Sequence, residues 1–191
     1  MALCSILAGC GGQGVPVPSD RFHRLNVGAP SKIYEDPRLD GTVEVERFEA
    51  DGVLQDRAIV FVEHDNHNVL HQYQYQLWSD PPTRMLQEAT VGYLRDAHLA
   101  KQVVTTGLRI EPSYTLTADV KRLEHVIGNS SSVVVELEYR LRDYRRGDLV
   151  WVKTYKVTKP AQDTSVAAAT DAMGEAVDEI LSNLTADLAE R

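Results

Sequence analysis

Apolar and polar positions alternate with period two over much of the chain and change to a spacing of three to four in two places. The pattern therefore predicts strands interrupted by two helices. Residues 21–27, with Phe22 and Leu25 close together, read as a short first strand, followed by a loop marked by Pro30, Pro37 and Gly41. In residues 42–48, Val43 and Val45 face one way and Glu44 and Glu46 the other. Residues 58–62 are continuously apolar, which predicts a central strand buried on both faces. In residues 69–77, Tyr73, Tyr75 and Leu77 alternate with Gln72, Gln74 and Gln76, and Trp78 closes the strand.

Asp80-Pro81-Pro82 then predicts a helix start, since Asp caps an N-terminus and Pro is tolerated in the first turn. Met85, Leu86, Ala89, Tyr93 and Ala97 give that helix, at about 81–99, an apolar face. A short strand at 102–105 precedes a long one at 114–127. In the long strand the apolar set changes phase between Val120 and Leu123, which predicts a bulge near 121–123 before the turn at Gly128-Asn129. Residues 133–141 and 149–157, joined by a turn from Arg145 to Asp148, complete an antiparallel meander. From Val166 through Ala169, Met173, Val177, Ile180 and Leu184 to Leu188 the helical spacing returns, predicting an amphipathic helix over 164–188 that covers the sheet. The fold class is α/β, a single domain with a mixed, largely antiparallel sheet and two main helices.

At 191 residues the chain fits one domain with a sizeable core. Its net charge of −8 argues against a nucleic-acid binder. From Lys121 to Lys159, however, nine basic residues face five acidic ones. That stretch is either a solvated sheet face or a surface for lipid head groups or an acidic partner.

Leu7-Ala8-Gly9-Cys10 ends an apolar stretch with small residues before a cysteine, the pattern of a lipoprotein cleavage and acylation site. Cys10 is the expected lipidation residue. The chain divides accordingly into a shortened signal segment (1–9), a tether (10–19) and a folded domain (20–191). The tether is uncharged and rich in Gly and Pro, as a flexible spacer should be. No basic n-region precedes the apolar stretch, so the natural precursor is expected to begin upstream of Met1. Loss of Cys4 with the signal and acylation of Cys10 would leave no thiol for a disulfide.

Candidate chemistry is sparse. His64, His67 and His71 with Asp65 are the only metal-like cluster, and solvent-facing turn histidines explain them better. Neither a Gly-x-Ser-x-Gly elbow nor a phosphate loop is present. Period-two geometry puts Glu136 and Glu138 on a wet face beside Arg140 and Arg142, as surface ion pairs rather than a catalytic pair. Arg146-Gly147-Asp148 is explained as a turn, and Asn129-Ser130-Ser131 and Asn183-Leu184-Thr185 are accidental acceptor motifs. No catalytic residue, cofactor site or metal site is assigned, and the expectation is a protein that is not an enzyme.

Leu54-Gln55-Asp56-Arg57-Ala58-Ile59-Val60, then Tyr73-Gln74-Tyr75-Gln76-Leu77-Trp78-Ser79-Asp80-Pro81-Pro82 and Leu86, resemble the auxiliary lipoproteins of ABC-type transport systems, the paraquat-inducible protein C family. The resemblance includes the lipobox, an early Phe22-x-x-Leu25 strand and the long C-terminal helix, while His23 departs from an aromatic position. It implies a domain resembling the N-terminal domain of TolB, lipid-anchored on the periplasmic side of the envelope, more at the outer membrane than the inner. It also implies partnership with an MCE-domain protein and its ABC permease and ATPase in lipid transport, and homo-oligomeric rings. Asp56, Arg57, Tyr75 and Trp78 match as structural features, with Asp56 and Arg57 expected to pair. A lipoprotein of another envelope complex, such as a secretion channel, and an anchored hydrolase are the alternatives.

Overall fold

The computed structural model describes residues 18–191 apart from residue 109, so Cys4, Cys10 and most of the tether lie outside the described residues. In chain order the strands are β1 (Arg21–His23), β2 (Leu39–Val45), β3 (Glu49–Ala50), β4 (Ala58–Glu63) and β5 (Asn66–Trp78). Helix α1 (Pro82–Asp96) follows, then β6 (Ala100–Thr105), β7 (Tyr114–Ile127), β8 (Ser132–Asp143), β9 (Leu149–Pro160) and helix α2 (Val166–Leu188).

All nine strands form one mixed sheet organised on β7. One edge of β7 takes three parallel strands in succession: β2 beside Tyr114 to Leu116, β3 beside Asp119 and Val120, and β4 beside Glu124 to Ile127. The other edge pairs antiparallel with β8, which pairs in turn with β9, and these are the long ladders of the sheet. β6 extends the sheet beyond β2, and β5 and then β1 extend it beyond β4. The register of β7 against β8 shifts between Val120 and Arg122, which is the bulge the phase change predicts. Its effect is to keep Leu116, Ala118 and Val120 before the shift and Leu123 after it in the same core.

The helices pack on this sheet, α1 against β2 and β6 and α2 against β8 and β9. Met173, Val177, Ile180, Leu184 and Leu188 of α2 are buried, as are Met85, Leu86, Tyr93 and Leu94 of α1. Two polar groups taken into this core are paired, Gln87 donating to the Val45 carbonyl at 2.9 Å and the Thr90 and Tyr139 hydroxyls lying 3.0 Å apart, whereas Asp178 Oδ1 on α2 is buried without a partner. A second, small cluster of Val62, Val126 and Val134 joins β4, β7 and β8.

Several boundaries differ from the sequence pattern: β2 runs over 39–45 rather than 42–48, and β5 and β6 start earlier than 69 and 102. The first strand stops at His23 rather than Val27, because the chain from Arg24 leaves the sheet and crosses α2. Asp80 does not cap α1: the N-cap is Pro81 without a side-chain bond, and Asp80 instead lies 3.6 Å from Arg84. The helix also ends before 99. His98 adopts φ 53°, with its N–H bonded to the Arg95 carbonyl and that of Leu99 bonded to Leu94, a Schellman termination. α2 ends at Leu188 as expected but begins at Val166 rather than 164, its N-cap Ser165 hydroxyl accepting from the Ala168 N–H at 3.1 Å.

Residues 24–38 form a strap over the helices. Its second half is fixed by backbone bonds from Tyr34 to Ala97 and from Arg38 to Leu99, and in its first half Leu25 and Val27 pack on the core. The crossing needs Gly174. A β-carbon there would sit 2.1 Å from the Asn26 carbonyl oxygen. Glycine within a helix ordinarily costs about 1 kcal/mol relative to alanine. Gly174→Ala should nevertheless lower stability by roughly 1–3 kcal/mol, because the strap backbone must lift; chemical denaturation measures it. Trp78, 1% exposed, should lose roughly 3–5 kcal/mol on replacement by Ala in the same assay.

Candidate interaction surface

The residues singled out by the sequence do not converge. His71 stacks on Phe61 at 5.0 Å, whereas the His64 and His67 rings meet edge to face at 5.9 Å beside the β4–β5 hairpin. Among the described residues no group of three His, Cys, Asp or Glu side chains is placed to hold a metal ion. Arg146, Gly147 and Asp148 belong to the β8–β9 turn, where Gly147 has φ 72° and Arg146 approaches Asp143 at 3.6 Å. Asn183 is exposed on α2, but Thr185 is buried and donates to the Leu181 carbonyl. Cys10, the expected lipidation residue, lies outside the described residues.

Arg57 and Trp78 tie the start of β4 to the end of β5. Arg57 Nε donates to the Trp78 carbonyl at 3.0 Å and the Trp78 N–H donates to the Arg57 carbonyl at 2.6 Å. The guanidinium also lies over the Phe22 ring at 5.0 Å, which holds β1 to this corner. Arg57 therefore does not take Asp56 as its partner. Asp56 instead accepts from Gln72 Nε2 at 3.2 Å.

One polar constellation escaped the sequence reading. His125 is fully buried on β7, with Nδ1 2.9 Å from the Tyr73 hydroxyl and Nε2 2.8 Å from Ser131 Oγ. Tyr73 and Ser131 also line a cleft of about 550 Å³ with His64, Ile127 and Thr164. Burial holds the imidazole below its ordinary value, which favours the neutral form, and both of its nitrogens are occupied. The set links β5, β7 and the β7–β8 turn. Only the inward parity of His125 in its strand signals it, because its partners come from distant or irregular segments.

The basic stretch is largely cancelled in space. Arg140 bridges Asp119 and Glu138, Lys121 also meets Asp119, Arg122 grips Glu124 and Lys156 faces Glu136. The Arg140 hydrogen bond in particular holds the Asp119 carboxyl below its usual range. Two further lysines reach α2, Lys153 to Asp187 and Lys159 to Glu179, each at 2.6 Å. Glu136 and Glu138 are thus ion-pair members on a solvated face, as their spacing predicts. Arg142 and Arg145 alone in that stretch have no carboxylate within ion-pair distance among the described residues.

What remains open is apolar. Leu108, Ile110, Tyr144, Leu149, Val150 and Val152 are all at least 42% exposed. They gather where β7 begins and β8 turns into β9; the Tyr144 N–H bonds to the Ser113 carbonyl and so holds the loop before β7 against that turn. Clustered exposed side chains of this size mark an interaction surface, whereas scattered ones do not. Arg142 stands opposite Leu149 in the ladder and adds positive charge at its rim.

The chain matches the family described as ABC-type transport auxiliary lipoprotein component over residues 25–184. Among solved structures it is similar to a protein from Xanthomonas campestris, at 20% identity and a TM-score of 0.75, covering 86% of this chain and 92% of that one. A second crystal structure, of an uncharacterized protein, is similar at 16% identity and a TM-score of 0.65, covering 91% of this chain and 98% of that one. Both likenesses are of fold. No curated protein sequence matches.

The buried imidazole makes stability pH-dependent. His125 binds a proton less readily in the folded chain than at the ordinary 6.5 of the unfolded one, so the unfolded state gains protons first as pH falls. Its contribution is complete above the unfolded value and is lost as pH drops from there toward the lower folded value. His125→Gln should flatten the part of the stability profile that falls away below the ordinary imidazole value, read from denaturation midpoints.

Proposed function

The chain belongs to the family of ABC-type transport auxiliary lipoprotein components, and from that premise we propose a non-enzymatic docking protein of an MCE-type lipid transport system. In this reading acyl chains on Cys10 hold it to the membrane, since more than one chain gives stable anchoring. The outer membrane is the favoured site, because Gly11 rather than Asp follows the cysteine. The folded domain faces the periplasm and docks the MCE-domain protein with its permease and ATPase. It does so as a homo-oligomer. Among the described residues no helix is long and apolar enough to cross a membrane.

The family match over residues 25–184 carries this reading. Strand direction supports it. β7 starts at the apolar end and runs away from it, β4 runs parallel to β7 and β5 runs back. β1 is parallel to β5, so the chain enters β1 from the side toward which β7 runs. β1 therefore runs toward the apolar end rather than away from it, a direction that suits a domain whose anchor lies on the other side. The buried Ser131–His125–Tyr73 set is fully occupied by its own hydrogen bonds, which favours a structural role over hydrolysis.

In vivo crosslinking of the native protein, followed by identification of the partners, tests the proposal. An MCE-domain protein should be recovered. Cys10→Ser should move the protein from the membrane to the soluble fraction and abolish that recovery. Recovery of secretion components without any MCE-type protein would overturn the reading.

A further inference from the structure

The sheet has three open edges, and they are not equally defended. The free edge of β6 is six residues long and carries Lys101, which pairs with Asp40 at 2.6 Å. β5 is covered by β1 only from Gln76 to Trp78, and over the rest it breaks register twice against β4, which bends it. β9 is twelve residues long and pairs with β8 alone. Lys153, Lys156 and Lys159 are spaced along it, the device by which edge strands resist further pairing. Residues 149–152, Leu-Val-Trp-Val, precede the first of them and carry no charge.

Within that run Leu149, Val150 and Val152 are 52%, 42% and 50% exposed, and only Trp151 turns into the core. Arg142, across from Leu149, and Arg145, in the adjoining turn, have no carboxylate within reach among the described residues. The other basic residues from Lys121 to Lys159 each have one. We propose that residues 149–152 accept an extended strand of a partner protein by edge addition, the incoming strand carrying apolar side chains at alternate positions and a carboxylate flank for Arg142 and Arg145.

The free main-chain groups of the edge supply affinity, the exposed valines select apolar residues, and the guanidiniums fix direction. A second copy of the same edge fits less well. It would set Arg142 and Arg145 against their own counterparts, beside Lys153. A lipid surface fits less well too, because β1 enters from the opposite side. The inference deepens the docking reading above and rests on it for the existence of a protein partner.

The test places a benzoylphenylalanine photocrosslinker at Val150 or Val152 of the full-length lipoprotein in its native cell, with Arg84 on α1 as control, and sequences the joined peptides. Adducts from both edge positions to one extended segment with adjacent Asp or Glu are expected, and none from position 84. Arg142→Glu with Arg145→Glu should cut the adduct yield about tenfold while leaving the melting temperature unchanged, since both side chains are exposed. Adducts to a second copy, to phospholipid, or none at either edge position would overturn the inference. Capture of an MCE-type protein through other positions, with the edge silent, would sink this inference and leave the docking reading standing. An edge adduct to a strand of an unrelated envelope protein would do the reverse.

Discussion

Backbone pairing along both edges of β7 is the constraint on which the remaining architecture depends. A buried strand of fourteen residues cannot leave its N–H and carbonyl groups unmet, because each orphan costs about as much as a lost hydrogen bond. One strand, β8, satisfies the whole of one edge. The other is divided among β2, β3 and β4, and that division opens the sheet into two wings, one carrying β6 and the other β5 and β1. The bulge between Val120 and Arg122 makes the division compatible with a single core. Without it, the apolar residues of one half of β7 would point into solvent.

The second consequence concerns how the N-terminus is held. β1 is only three residues long, yet it is fixed by side chains from three elements. His23 meets Gln76 of β5 at 2.7 Å and approaches Thr170 of α2, while Phe22 lies under Arg57. The strap then passes over Gly174 so closely that no side chain fits there. The first described residues are therefore locked to the sheet and to α2 within a few positions. The early Phe-x-x-Leu pattern thus has a packing reason: Phe22 meets Arg57, and Leu25 packs the strap on the core.

Much of this was legible in the sequence, for identifiable reasons. β7, β8 and α2 announce themselves because each buries one face over many residues, so periodicity accumulates. The bulge was legible as a change of phase. The end of the first strand was not, since Leu25 and Val27 are apolar for a different reason: they pack the strap onto the helices rather than continue a strand. The αL residue that ends α1 is a histidine, so composition gave no stop signal there. His125, Tyr73 and Ser131 were missed because a strand residue, a tyrosine fifty-two positions away and a turn serine have no common spacing.

Charge illustrates the limit best. Counted along the chain, residues from Lys121 to Lys159 form a basic region, and an electrostatic surface follows naturally. Folding cancels most of it, because β7 and β8 bring their own carboxylates alongside and α2 contributes Glu179 and Asp187 from far downstream. The more exposed of these pairs, such as Lys153–Asp187 and Lys159–Glu179, contribute little stability, about 0–1 kcal/mol each. Their larger effect is on recognition. By neutralising seven of the nine bases of this stretch the pairs leave it little general attraction for anions, and among its described residues they confine the free positive charge to Arg142 and Arg145. Those two border the uncharged start of β9. Ion pairing and edge protection thus select the same place by independent routes, one by cancelling the other bases of the stretch and the other by spacing lysines along the rest of the strand. A surface defined by what its neighbours lack can be located only after the chain is folded.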